Sequence, residues 1–272
     1  NEQRRRKTLG PERRELLDDG RHLDLGHVQA AVGVGIVVAP VATGLACLTS
    51  EERELGVALV EFGAAVTNVS VFIGGMLVGL ETIQKGASDI TDDIASTFGI
   101  RRAQAERLKC FHGSALTSPR DHQEVLEVGP DENGTEAGTH APRITKAQLN
   151  AVVCQRVDGI VSEIGRALKT LGFSGPSSHQ IVLTGGGAEL KGIAEHMQGA
   201  LGRTVRIGRP SGLSGVPEAH AGPAFSTLVG LIHYAAIDHV DLKSGYDLHG
   251  EHMPSGMPSL FERIKRAIRE NF

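Results

Sequence analysis

The chain lacks several features that would have placed it quickly. Its 272 residues contain no apolar run near the roughly 20 needed to cross a bilayer, so any membrane contact is expected to be peripheral. A charged-then-apolar signal peptide layout is missing from its start. The first methionine is Met76, so the chain is expected to be part of a longer product or a trimmed one. Cysteine is scarce: Cys47, Cys110 and Cys154 are odd in number, far apart and without metal-ligand spacing, which fits buried thiols in a reducing cytosol. There is no excess of positive charge. A formal net charge of −4 excludes a protein whose whole surface seeks nucleic acid. G-x-S-x-G elbows and lysine-bearing phosphate loops are absent, which removes the ordinary hydrolase and kinase signatures. The pair His249 and His252 sits in a glycine-rich stretch without a third ligand and reads as solvent-exposed histidines.

What is present is the material of a folded α/β protein. At 40% hydrophobic and 22% charged residues, the chain can build one large core or two moderate ones. Residues 1 to 26 carry Arg4, Arg5, Arg6, Lys7, Arg13 and Arg14 among acids and read as a solvated, poorly ordered lead. Val34 to Val38 suggests a buried strand, and Glu51, Glu52 and Glu54 a surface turn. Gly56 to Phe62, Asn68 to Ile73 and Met76 to Thr82 read as a β-meander, with Gly74-Gly75 turning between the last two. Helices are predicted at Asp89 to Phe98 and Ala103 to Phe111, then a loop over 113 to 143 with one strand at Glu124 to Val128. Ile144 to Leu171 has the longest helical periodicity, opened by a Thr145/Gln148 capping box and closed by Gly172. A strand at Gln180 to Leu183, a glycine turn, a helix at Ala188 to Leu201, a strand at Thr204 to Ile207 and a helix at Ala224 to Tyr234 complete the pattern.

Two places could approach a phosphate. Gly185, Gly186 and Gly187 follow a strand and precede a helix, where free N–H groups and the helix dipole favour an anion. Glycines there serve equally to let a helix pack close to a sheet, and this motif alone does not separate the two. Gly63, Ala64, Ala65, Val66 and Thr67 form a small-residue turn between two strands, which by itself suits an ordinary hairpin.

The order of the pieces is more specific than any one of them. LTSEERELGVALVEFGAAVTNVSVFIGGMLVGLETIQKGASDITDD from Leu48 to Asp93 and AERLKCFHGSA from Ala105 resemble the bacterial division family FtsA. So do IVLTGGGAELKGI from Ile181, VRIGRP from Val205 and AFSTLVGLIHYA from Ala224, and the likeness covers roughly residues 28 to 272. The resemblance implies an actin-like (ribonuclease H-like) α/β fold, mostly its second lobe, followed by a C-terminal amphipathic helix. It implies segments at 28–85 and 176–240 for the core lobe, 86–175 for an inserted subdomain, 241–258 for a linker and 259–272 for a membrane helix, after the lead at 1–27. By the same likeness, Gly63 to Thr67 occupy the second phosphate hairpin, Gly185 to Gly187 the turn at the adenosine, and Glu106 and Lys109 the nucleoside pocket. Without that likeness Glu106 and Lys109 read as a solvated helix face. ATP with Mg²⁺ is the implied cofactor. The implied partners are FtsZ, further copies of the chain in a filament, anionic inner-membrane lipid and other divisome proteins, with no nucleic acid. The implied location is the cytoplasmic face of the bacterial inner membrane at the septum, with at most weak ATP hydrolysis. The alternative within the superfamily is an enzyme with true turnover, such as a sugar kinase or an ATPase chaperone.

Departures from the family pattern fall on the hairpin. The usual run is Asp, an apolar residue, three glycines, Thr, any residue and Asp, whereas here Glu61, Ala64, Ala65, Val66 and Asn68 intervene. Methyl groups at Ala64 and Ala65 crowd a phosphate, Val66 removes a hydroxyl, and Asn68 brings no charge to a hydrated cation. The expectation is weak or absent nucleotide binding by this chain alone.

The last fourteen residues segregate cleanly on a helical arc. Leu260, Phe261, Ile264, Ala267, Ile268 and Phe272 share one side, and Arg263, Lys265, Arg266 and Arg269 take the other with Glu262 and Glu270. A terminal helix docked on its own core would show a similar arc. The linker before it and its cationic face favour anionic lipid instead. So short a helix anchors weakly as a single copy, and a filament of copies turns many weak anchors into stable attachment.

Overall fold

A computed structural model of the chain describes residues 23–24, 37–128, 143–173, 180–215 and 217–236. The linker at 241–258 and the helix expected at 259–272 lie outside the described residues, as does most of the lead. Within that lead, β1 (Leu23–Asp24) pairs in parallel with β9 (Leu213–Ser214).

The centre is a five-stranded sheet in the order β4-β3-β2-β7-β8. β2 (Val57–Phe62), β3 (Thr67–Ile73) and β4 (Met76–Ile83) form the expected antiparallel meander, and β7 (Gln180–Thr184) and β8 (Thr204–Ile207) add in parallel beside β2. Gly74 and Gly75 both have positive φ, +58° and +75°, as the tight turn between β3 and β4 requires. β2 is buried on both faces because its run of Val, Ala, Leu, Val and Phe has no polar side to offer water until Glu61. β4 alternates between exposed and covered positions, the pattern of a strand at the sheet edge.

Helices cover both faces. On one, Ala58, Val60 and Phe62 meet Ile90 and Ile94 of α3 (Ala87–Phe98), Leu108 of α4 (Arg102–His112) and Val153, Ile160 and Ile164 of α5 (Lys146–Thr170). On the other, Val57, Leu59, Phe72 and Val182 meet Ala46 and Cys47 of α1 (Ala39–Cys47) and Val229 of α7 (Ser226–Ala236). Each fully buried Leu, Ile or Phe contributes about 1.5–3 kcal/mol by leaving water, so the two clusters are the main source of stability.

The α5 start matches its sequence signal: Gln148 N–H donates to Thr145 Oγ1 at 3.3 Å and Thr145 N–H to Gln148 Oε1 at 2.9 Å. The expected strand near Val128 is short, β5 (Val125–Leu126), and pairs with β6 (Ile144–Thr145).

Three local expectations change. Val37 and Val38 are not strand, and Val38 leads instead into α1, while Val34 to Ile36 lie outside the described residues. The acidic turn at Glu51 to Glu54 is a short helix, α2 (Ser50–Leu55), because Thr49 and Glu52 cap it reciprocally. Glu52 also takes a bidentate pair from Arg206 of β8 at 2.8 and 2.6 Å, which ties this helix to the sheet. Burial alone would push the Glu52 carboxyl up, but the Arg206 guanidinium and the Thr49 amide hold it below the usual carboxylate range. The helix expected from Ala188 starts later, as α6 (Ile193–Leu201). Lys191 forms a parallel bridge with Ser114 and accepts from Ala115 N–H at 2.8 Å, which an unbroken helix would forbid.

Candidate functional site

The hairpin between β2 and β3 is closed by Gly63 N–H donating to Val66 carbonyl at 3.0 Å. Its outward carbonyls are not idle. Gly63 O accepts from Ala87 N–H at 2.9 Å and Ala64 O from Ser88 N–H at 2.8 Å, so the hairpin caps the first turn of α3. Ala64 and Ala65 stand exposed at the tip, and the Thr67 hydroxyl is turned inward to the Lys85 carbonyl at 2.8 Å.

Glu106 and Lys109 meet the same turn of α3 from α4. Lys109 is buried, and its ammonium donates to Ala87 O at 3.0 Å, Thr91 Oγ1 at 2.8 Å and Glu106 Oε2 at 2.8 Å. An ammonium has three hydrogens, and all three are engaged. Thr91, fully buried, donates its hydroxyl to the same Glu106 oxygen at 2.5 Å. The other Glu106 oxygen accepts from the Cys110 thiol at 3.3 Å and is on the accessible side. Burial alone would raise the Glu106 carboxyl, but hydrogen bonds from Lys109 and Thr91 outweigh it and hold it below the usual range. A carboxyl held low in the fold contributes stability above its unfolded value, near 4.3, and loses it as pH falls through the folded one. Thr91→Val is therefore expected to move the Glu106 titration upward, read by carboxyl ¹³C NMR, and to start acid destabilisation at higher pH. An unmoved titration would mean that Lys109 alone sets it.

The glycine turn closes the group. Gly185 has φ +88° and donates its N–H to the Pro223 carbonyl at 3.2 Å. A Cβ on Gly185 would stand 2.5 Å from Phe62 O, and one on Gly187 would stand 2.5 Å from Phe62 Cδ1. Phe62 immediately precedes the hairpin, so one side chain links both glycine-rich elements. The 3₁₀ turn Gly186–Glu189 follows, and its Glu189 carboxylate acts on the Cys110 thiol. Burial first, then Glu106 and Glu189, push that thiol up despite Lys109. The hairpin, the glycine turn and the Glu106/Lys109 pair are thus one contiguous set. The tail residues lie outside the described residues.

Glu61, which stands where the family hairpin has Asp, is engaged with neutral partners. One carboxylate oxygen accepts from the Thr43 hydroxyl of α1 at 3.3 Å and from the Thr227 hydroxyl of α7. The other accepts from Asn68 Nδ2 at 3.3 Å, and Asn68 Oδ1 accepts from Thr82 at 2.9 Å. Among the described residues, no group of three or more His, Cys, Asp and Glu could hold a metal. With Glu61 and Asn68 engaged by hydroxyl and amide partners, the hairpin residues do not form a ligand set for Mg²⁺. Thr43, Thr91 and Thr227 escaped the sequence reading. The available signal was a lone hydroxyl within a small-residue or amphipathic helix, since a buried hydroxyl needs a partner.

A cleft of about 350 Å³ lies elsewhere, between α3 and α5. The Arg156–Asp93 pair, at 2.5 and 2.6 Å, forms part of its wall together with Lys85, and Glu106, Lys109 and the two glycine-rich elements do not line it.

The fold is that of the actin-like proteins. MreB5 of Spiroplasma citri bound to ADP aligns over 84% of this chain and 66% of its own, at TM-score 0.58 and 17% identity. The PilM–PilN type IV pilus biogenesis complex aligns over 75% of this chain and 54% of that one, at TM-score 0.57 and 18% identity. Within this class the family is specific: the model for "Cell division protein FtsA" matches residues 58–230. The FtsA of Rhizobium meliloti is 38% identical over 88% of this chain, and that of Escherichia coli K12 is 29% identical over 87%. The chain belongs to the FtsA family. It spans about half the length of these relatives, 53% and 56% respectively. Among the described residues no helix is long and apolar enough to cross a membrane.

Proposed function

We propose that the chain works as a division adaptor, binding FtsZ filaments through its folded lobe and anionic inner-membrane lipid through residues 259–272. Copies associate as an actin-like filament at the cytoplasmic face of the septum, beside other divisome proteins, and nucleotide at the Glu106 corner adjusts assembly. The observation that supports this reading is family membership over 58–230, joined in one sequence to residues 259–272, whose apolar and basic side chains segregate at helical spacing. A lone amphipathic helix of this size binds lipid marginally, so attachment depends on assembly. In sedimentation with anionic vesicles, the full chain is expected in the pellet and the chain lacking 259–272 in the supernatant. Circular dichroism of the two should agree over the folded lobe. FtsZ filaments added to the full chain should enlarge the pelleted fraction. Pelleting that survives the deletion sinks the lipid role, and ATP turnover without vesicle or FtsZ association would favour an enzyme.

A further inference from the structure

β4 stands at the edge of the sheet, and among the described residues no strand pairs with its outer side. Natural edges are blunted by lysine, proline or inward-pointing charge, because a bare row of N–H and C=O groups templates another strand. β4 reads MLVGLETI, with no lysine, arginine or proline and Glu81 as its one charge. Its irregularity falls at the turn end, between the partners of Val71 and Phe72, so Gly79 to Ile83 run in regular register against Val71 to Thr67. Ile73, Met76, Val78 and Leu80 are four of the eleven large apolar side chains exposed among the described residues, so exposure of this kind is concentrated on one hairpin.

The two faces of the edge differ. Leu80 lies opposite Ser70 and Thr82 opposite Asn68 on one face, while Gly79 lies opposite Val71 and Glu81 opposite Val69 on the other. A Cβ on Gly79 would stand 2.9 Å from Leu171 Cδ2, so the glycine admits that half-buried leucine over the strand. In an antiparallel pair of two such edges about a two-fold axis through Leu80, Leu80 meets its own copy, Val78 meets Thr82 and Glu81 meets Gly79. The single charge then falls beside the one residue of the strand without a side chain, and the two Glu81 carboxylates are kept apart. An axis through Glu81 would oppose them. A charged partner strand finds no complement on this edge, whereas a second copy supplies an equally uncharged one.

We infer that β4 is a pairing edge for β4 of a second copy, antiparallel and centred on Leu80, which joins two five-stranded sheets into one. The inference rests on the self-association proposed above and gives it a surface. Five paired residues, about 17 Å of strand, cover well under the roughly 800 Å² per partner of a stable interface. Dilute chains are therefore monomers, and the pairing forms where copies are already crowded, as on a vesicle.

The test is disulfide trapping in the full chain, on anionic vesicles and in concentrated solution. Non-reducing gels are read against the unsubstituted chain, whose exposed Cys110 sets the background. Residues directly opposite in an antiparallel pair have Cα atoms about 4.5–5.5 Å apart, within disulfide reach, and residues four positions out of register lie beyond it. Leu80→Cys is expected to trap a dimer at least about tenfold above background, and Thr82→Cys to stay at background. Val78→Lys, an edge lysine at an exposed position, should lower Leu80→Cys trapping at least about fivefold, while Leu228→Lys, equally exposed on α7, leaves it unchanged. The contrast of Leu80→Cys with Thr82→Cys decides even if Val78→Lys fails to fold. Background trapping at Leu80→Cys, equal trapping at Thr82→Cys, or equal loss from the two lysines overturns the pairing. Suppression of the Leu80→Cys dimer by added FtsZ overturns it as well, by giving the edge to FtsZ. Pelleting of the same samples reads the lipid role separately. Pelleting without a trapped dimer overturns the pairing alone, and a dimer trapped in solution without pelleting overturns the lipid role alone.

Discussion

Gly230→Leu is expected to abolish cooperative folding, and Gly230→Ala to cost about 3 kcal/mol, at the upper end for overpacked cores. Gly230 is buried in α7, where a Cβ would overlap the Ala42 carbonyl oxygen of α1 and crowd the Thr43 amide. Both obstacles are backbone, so no rotamer change relieves them, and the helices must separate. Separation would pull Val229 and Ala46 from their shared cluster on the sheet and stretch the Thr43–Thr227 contact of 2.9 Å. The contrast is Gly159→Ala in α5, where a Cβ meets nothing within 4 Å. That substitution should stabilise by about 0.4–1 kcal/mol through the unfolded state and helix propensity. Urea unfolding followed by circular dichroism reads both. Equal effects of Gly230→Ala and Gly159→Ala would mean that α1 and α7 pack more loosely than their geometry indicates.

The α1–α7 pair also marks the limit of what could be read in advance. The meander was legible because β-branched runs flank Gly74-Gly75, and α5 because its capping box and apolar period agree. α1 was not. Its sequence APVATGLAC buries Pro40, Ala42, Thr43, Gly44, Ala46 and Cys47 on several sides, so no polar stripe reveals a helical period. The site divides the same way. Glycine positions stand out in a sequence, and family likeness grouped them with Glu106 and Lys109. Which atoms would meet a Cβ at each glycine depends on partners distant in the chain. Glu61 read only as a departure from the family hairpin because Thr43 and Thr227, its partners, sit in two helices that meet only in the fold. Lys109 looked solvated because helical spacing cannot show that Ala87 O and Thr91 converge on it.

Gly187→Ala and Phe62→Leu are expected to rescue one another in part. Alone, the alanine would put its methyl 2.5 Å from the Phe62 ring, which is 1% exposed and surrounded by core. The expected cost is about 2–3 kcal/mol, because the ring has no free volume to enter. Phe62→Leu alone leaves a gap and should cost about 1–2 kcal/mol, below the range for truncation of a phenylalanine to alanine. Combined, the smaller side chain admits the methyl, and the double variant should be at least about 1 kcal/mol more stable than additivity predicts. Gly185→Ala supplies the control. Its obstacle is the Phe62 carbonyl oxygen at 2.5 Å together with a φ of +88°, and neither changes when the ring does. Phe62→Leu should therefore add to Gly185→Ala without relief. Rescue at Gly187 with additivity at Gly185 assigns one glycine to side-chain packing and the other to backbone conformation. Additivity at both would mean that the Gly187 turn can step away from the ring, and would loosen the link between hairpin and glycine turn that Phe62 makes.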